Sequence, residues 1–192
     1  MNLFLVIFGI IFLLVIFLPT GESEHQKEDK GNRLNKYLSK GYNFNNQLAM
    51  SLYTFAIDKN NEKLLIFSAI STNRKNEFLL NFEDIIGFEV TKDGETITKA
   101  SLGAPIAGGI LFGVGGMLLG SILSNRKSKE KLNVDIIIQL NSFDNPIVKI
   151  PVVSSNDSEI TQKGNLEVLE KLCVWFKLIL DKNESKKTTI EV

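Results

Sequence analysis

The sequence predicts a mainly β fold closed by one C-terminal α-helix, with seven short strands arranged as a small barrel or sandwich. Three observations predict it. From residue 49 onward, short apolar runs are separated by turn-forming residues. Near the C-terminus, Leu166, Leu169, Cys173, Phe176 and Leu180 recur at three- and four-residue spacing and make a helical stripe. Two uncharged stretches, 3–18 and 101–124, stand apart from a chain whose charge is spread almost everywhere else.

Residues 3–18 (LFLVIFGIIFLLVIFL) are wholly apolar, and with the first two residues a helix here reaches about 27 Å, enough for the hydrocarbon core of a bilayer. A cleaved signal peptide would carry a basic residue before the run, which is absent, and small residues at a cut site, which Pro19-Thr20-Gly21-Glu22 matches poorly. Residues 1–19 are therefore expected to be an uncleaved transmembrane anchor. Lysines and arginines follow the run and none precedes it, which puts the N-terminus outside and the remainder in the cytoplasm of the cell. Residues 20–46 read as a polar tether, with Leu34, Tyr37 and Leu38 placed to form one amphipathic turn against the domain or the membrane surface. His25, the chain's single histidine, lies among charged residues there without the oriented partner a general base needs.

The β unit is expected over 47–100 and 132–182. Residues 49–57 form its first strand, 58–62 (DKNNE) a turn, and 63–70 the return, with Leu65, Phe67 and Ala69 alternating to one face. Strands follow at 78–82 and 86–91. Asp93-Gly94 is a strong hairpin signal, because both residues suit the positive φ angles of a tight turn. The chain returns at 96–100. Beyond the glycine-rich run, 132–141 is rich in β-branched residues, and 147–153 returns from the turn at 142–146. The helix is expected over 165–181, with Leu172, Trp175 and Ile179 broadening its stripe, and 183–192 is a loose tail.

The run 101–124 (SLGAPIAGGILFGVGGMLLGSILS) holds half of the chain's 14 glycines. Gly109 and Gly113 are spaced as GxxxG, as are Gly116 and Gly120; such pairs make a flat helix strip that another backbone approaches closely. At Gly113–Gly116 a helix would bend or stop, since each glycine costs it about 1 kcal/mol relative to alanine. Two short legs folded at that point and dipping into one leaflet are favoured by the basic flanks on both sides, Lys92 and Lys99 before the run and Arg126, Lys127, Lys129 and Lys131 after it. A single crossing of about 36 Å, or a buried helical pair or loop in a soluble protein, are the alternatives. Phosphate binding fails on residues: Leu118 stands where a GxGxxG fingerprint requires its last glycine, and Gly109 and Ser121 stand where a P-loop requires lysine.

The remaining chemistry is sparse. Basic and acidic residues balance at 22 each, which argues against a nucleic-acid partner. One cysteine and one histidine cannot build a zinc cluster or a hydrolytic triad, so no metal, cofactor or catalytic residue is expected. The carboxylate pairs Glu83/Asp84, Asp93/Glu95 and Asp157/Glu159 fall in turns, and Cys173 reads as a small apolar residue on the packed helix face.

The order of elements resembles the pleckstrin-homology fold in its bacterial PH-like version, over residues 49–182. The stretch FEDIIGFEVTKDG, residues 82–94, looks like the strand, Asp-Ile, strand, Asp-Gly turn passage of small bacterial PH-like membrane proteins. Some relatives carry a glycine-rich apolar insertion between the fifth and sixth strands, where 101–124 lies here. The turn at 58–62 lacks the Lys/Arg cluster that phosphoinositide-binding relatives place after the first strand. With no catalytic pattern in the residues no enzyme is expected, and the expected role is a membrane-anchored interaction module presenting the PH-like domain. Its partners would be the bilayer and a cytoplasmic protein, and the role one of immunity against a membrane-active factor or another envelope function. The alternative is a structural membrane protein whose copies assemble through GxxxG surfaces.

Overall fold

The structure, a computed structural model, describes residues 24–68, 77–107, 122 and 132–190. The anchor at 1–19, Gly109, Gly113, Gly116, Gly120 and the basic residues 126–131 lie outside the described residues. Helix α1 (Glu24–Leu38) leads into a four-stranded antiparallel meander of β1 (Asn46–Ala49), β2 (Tyr53–Asp58), β3 (Lys63–Ser68) and β4 (Glu77–Asn81). A 3₁₀ turn, Phe82–Asp84, passes the chain to a second antiparallel sheet. That sheet contains β5 (Ile85–Lys92), β6 (Glu95–Ser101), β7 (Ala104–Ala107), β8 (Val134–Leu140) and β9 (Ile147–Val153), in the spatial order β7-β6-β5-β8-β9. Helix α2 (Glu159–Ile190) closes the fold.

The core lies between the two sheets and α2. Alternation places Phe55, Ile57, Leu64 and Ile66 on the inner face of the first sheet, opposite Phe88, Val90, Ile136 and Ile138 of the second. Phe176 of α2 stacks on Phe88 with ring centroids 5.4 Å apart. The other faces of β2 and β3 are buried too. Ala56, Leu65 and Phe67 join Tyr37 and Phe44 in a second cluster beneath α1. The stretch expected to be a tether is thus helical over Glu24–Leu38 and covers the outer face of the first sheet.

Several elements differ from the sequence reading. The strand expected at 49–57 is two strands, with Ala49 paired to Thr54 across a tight reversal. The Ser51 amide there donates to Asn165 Oδ1 at 3.0 Å, so a residue of α2 fixes a turn with no Gly, Pro or Asn of its own. Among the described residues the strands number nine, not seven. The last of the additional strands, β7, lies inside the glycine-rich run. Gly103 takes a left-handed φ of 71° and turns the chain back, so that Ala104 pairs with Ser101 and Ala107 with Lys99. Pro105 is tolerated because β7 is an edge strand. Helix α2 begins earlier and ends later than the stripe over 165–181. Ser158 caps it, its Oγ accepting from the Thr161 amide at 3.2 Å. Much of the expected tail is helix, held by Lys182 and Lys186 on Glu62. The Asp-Gly turn is as expected, with Asp93 at φ 51° and Gly94 at φ 90°.

The second sheet also constrains the glycine-rich run. Strands β7 and β8 belong to one sheet, so the chain that leaves at Ala107 returns to the same body at Leu132. The alternative of a single crossing would put these two strands on opposite sides of a bilayer, whereas they are strands of one sheet. The expected extent of the hairpin, 101–124, is corrected at both ends. Ser101 to Ala107 belong to β6 and β7, and Ile122 is fully buried in the main core, its carbonyl accepting from Lys92 Nζ at 2.9 Å.

Candidate interaction surfaces

The hydrogen bonds define two ends of the molecule. At the first, the β5–β6 turn is tied to the start of β8: the Asn133 amide donates to Asp93 Oδ1 at 3.0 Å and the Asp93 amide to the Asn133 carbonyl at 2.9 Å. Ser155, just after β9, donates its amide to Asn133 Oδ1 at 3.2 Å, which brings the start of α2 to the same place. Strand β7 is antiparallel to β6 and runs toward this end, stopping at Ala107 opposite Lys99, while the return at Leu132, next to Asn133, lies at this end. The β1–β2 turn is drawn in through Asn165, and Ser68, paired with Tyr53, places the end of β3 beside it. Ile160, in the first turn of α2, is 87% exposed at this end.

Helix α1 points to the same end. Arg33 Nη1 donates to the Ser68 carbonyl at 3.4 Å, and its guanidinium lies over the Phe67 ring, 5.7 Å from the centroid. Gly41, after the helix, accepts instead from Asn61 Nδ2 at 3.3 Å in the β2–β3 turn. The helix therefore descends along the first sheet, and its residues before Arg33 project about 13 Å beyond Ser68. Tyr37 and Lys36 fix it by donating to Glu77 Oε1 at 2.5 and 3.2 Å. Desolvation raises the Glu77 pKa, but these two bonds together with the charges of Lys36 and Arg33 outweigh it and hold the carboxyl below its usual range. Leu34 and Tyr37 do pack on the domain, as the amphipathic reading allowed, whereas Leu38 is exposed.

The second end holds the β2–β3 turn, the 3₁₀ turn and the last turns of α2. Asp58 is buried and organises its turn, accepting from the amides of Asn43, Asn60 and Asn61 and from the Asn61 side chain. Burial pushes its pKa up, but these bonds more than offset it and hold it below the usual range. Asn183 Nδ2 donates to the carbonyls of Phe82 and Ile85 at 2.6 and 3.0 Å, fastening α2 across the junction between the sheets. Beside it opens an apolar groove of about 250 Å³ floored by Ile57, Phe82, Trp175 and Ile179, with Leu178 61% exposed on its lip and Lys59 and Lys182 at its rim. Hydrogen bonds from Lys186 and then Lys182 hold Glu62 below the usual carboxylate range. Of these groove residues, the sequence reading had singled out Trp175 and Ile179 as helix packing. The missed signal was Val174 and Leu178, two apolar residues one turn apart on a helix face that also carries Lys171, Asp181 and Lys182.

The aspartates among the carboxylates singled out from the sequence do local work. Asp84 accepts from Asn81 Nδ2, Asp93 from Asn133, and Asp157 Oδ2 from the Ser154 amide at 2.7 Å. Cys173 is fully buried, and desolvation, with a contribution from Glu170, pushes its thiol pKa up to about 12, so it is held as a packed thiol. His25 lies on α1.

A family model described as a glycine zipper containing PH domain matches residues 36–154, from the last turn of α1 to just beyond β9, and the GxxxG pairs fall inside that span. No curated protein and no solved structure matches the chain. The matched span covers more than half of the sequence and takes in both sheets and the glycine-rich connection between them, and on that ground the chain belongs to the family of glycine zipper-containing PH domains.

Proposed function

We propose that this chain is a non-enzymatic interaction module held at the cytoplasmic face of a membrane, with its Asp93 end toward lipid and its Asp58 end toward the cytosol. One observation carries the reading. The chain segments leading to both apolar stretches point to the same end: α1 from residues 3–18 is directed there, β7 runs toward it, and β8 begins there after the glycine-rich run. Residues 3–18 serve as the anchor, with the N-terminus outside. If the residues between Ala107 and the buried Ile122 form two helical legs, each would reach only about 10 Å, well short of a bilayer core of about 30 Å. The glycine-rich segment therefore acts in one leaflet, with Gly109, Gly113, Gly116 and Gly120 as its packing surface. The same shortness supports a second reading, in which those glycines join copies of the chain into a structural assembly.

The test reads depth and assembly separately. In a Cys173→Ser background, an environment-sensitive dye is placed at Ile160→Cys or at Phe143→Cys, which is fully exposed on the β8–β9 turn at the far end. After reconstitution, emission from 160 should shift to the blue and be quenched by spin-labelled lipid, while 143 stays in water. Equal behaviour at the two positions, or an intact chain left in the supernatant after detergent-free ultracentrifugation, overturns the proposal. Replacing the four glycines by leucine should abolish crosslinked oligomers if the structural reading holds; partner capture unaffected by changes in the domain would favour that reading over the first.

A further inference from the structure

The groove at the Asp58 end has the build of a peptide site. Its floor is apolar, and its volume of about 250 Å³ lies below the ~300–1,000 Å³ typical of small-molecule sites, which suits one or two bulky side chains. Trp175 in the floor is the residue type most often found at the energetic centre of protein contacts. The rim is cationic. Lys59 pairs with none of the described carboxylates, and Glu62 is shared between Lys182 and Lys186, so one negative charge faces two positive ones. Asp181, one residue before Lys182, is taken up by Lys177 at 2.6 Å. A bulky apolar side chain flanked by carboxylates complements both features, since the floor desolvates the one and the rim attracts the others.

We infer that this groove docks a cytoplasmic protein through a short segment in which one or two large apolar residues are flanked by Asp or Glu. The inference rests on the orientation proposed above, which leaves this end facing the cytosol. Leu178, exposed on the lip, closes over the inserted side chain, and Lys59 and Lys182 hold the flanking carboxylates.

The chain's single tryptophan is in the groove, so its emission reports occupancy. The full chain in phosphatidylcholine nanodiscs is titrated with two synthetic peptides that share a Leu-Phe core, one flanked by Asp and Glu and the other by Lys. The acidic peptide should shift the emission saturably and less strongly at 1 M salt, and the basic peptide should leave it unchanged. Lys59→Glu with Lys182→Glu should weaken the acidic peptide at least tenfold, and Leu178→Asp should abolish the shift without moving the urea midpoint. No shift, an equal response to both peptides, or an unchanged affinity in the double variant overturns the inference. A shift that depends on protein concentration without peptide also overturns it, and assigns the groove to a second copy. Failure of the chain to enter nanodiscs refutes the membrane reading instead, and the same titration then runs in buffer.

Discussion

Replacing Asn165 by alanine tests how the three layers are joined. Asn165 is buried near the start of α2, where its Nδ2 donates to Ser51 Oγ and to the Val152 carbonyl, both at 2.8 Å, while its Oδ1 accepts from the Ser51 amide at 3.0 Å. One side chain thus holds the β1–β2 turn of the first sheet, the end of β9 in the second and the helix over both. Val152 falls at the register shift between β8 and β9, where Val134 pairs with Val153 and Asp135 with Pro151, so its carbonyl has lost its place in the ladder. Truncation strands that buried carbonyl and frees an amide nearer to solvent. At about 1–3 kcal/mol for a stranded buried group, and less for the second, the loss should be roughly 2–3 kcal/mol. For a chain of this size that lowers Tm by about 5–10 °C. Asn183 is the control. It donates two bonds, but its Oδ1 is buried without a partner, so Asn183→Ala removes an existing penalty along with two contacts and should cost only about 1–2 kcal/mol. Equilibrium urea unfolding of the full chain in detergent, read from Trp175 emission, measures both. An Asn165→Ala loss under 0.5 kcal/mol, or an Asn183→Ala loss equal to or larger than it, refutes the reasoning.

Glycine substitutions should diverge by site. A Cβ on Gly87, inside β5, would meet Gln139 Oε1 at 2.7 Å and the Ala100 carbonyl at 2.9 Å, so Gly87→Ala should destabilise by about 1–3 kcal/mol. Gly164 lies within α2 with nothing within 4 Å of an added Cβ, and Gly164→Ala should stabilise by about 0.5–1 kcal/mol in the same urea assay. Asp58 has a lower pKa folded than unfolded, so the stability it contributes is complete above the ordinary carboxylate range and fades as pH falls through the lowered value. Urea midpoints measured from neutral to acid pH should fall less steeply in Asp58→Asn than in the parent, and equal slopes would contradict this. Cys173 should resist a thiol reagent at pH 8 in the folded chain and react stoichiometrically in urea; rapid native labelling would contradict its burial.

The parts of the fold that rest on local pattern were legible. Strand β8 alternates buried and half-buried residues along VDIIIQL, β9 spans the expected residues, and the Asp-Gly turn needs only its own two φ angles. What escaped was set by residues far apart in the chain. The break between β1 and β2 depends on Asn165, and the last turns of α2 depend on Glu62 and on the carbonyls at Phe82 and Ile85. Strand β7 was hidden because four small or apolar residues at a sheet edge look like the uncharged run they begin. The groove escaped for a related reason. Trp175 belongs to the helix stripe, but its neighbours Ile57 and Phe82 reach it from the other side of the sequence, and Lys59 was read only as part of a turn.

The sheet order gives the glycine-rich segment its meaning. To place β8 beside β5 the chain must pass both β6 and β5, from the edge of the sheet to the far side of β5. That is a displacement of about 14 Å, three strand spacings, which roughly five extended residues would span. Residues 108–131 far exceed it. Closing a longer loop costs little, since each doubling adds only about 0.6 kcal/mol, so the fold tolerates the excess without requiring it. Surplus length alone would be satisfied by polar residues. Here its first half is apolar and carries the GxxxG pairs, and its second half, 126–131, is basic, in a connection whose return at Leu132 lies at the end to which α1 also points. Ile122, buried in the main core, separates the two halves of this sequence. An apolar stretch of this length between Ala107 and a buried Ile122 is what the proposed reading requires of a segment that packs against the near leaflet of a bilayer, or against the same segment of a neighbouring copy.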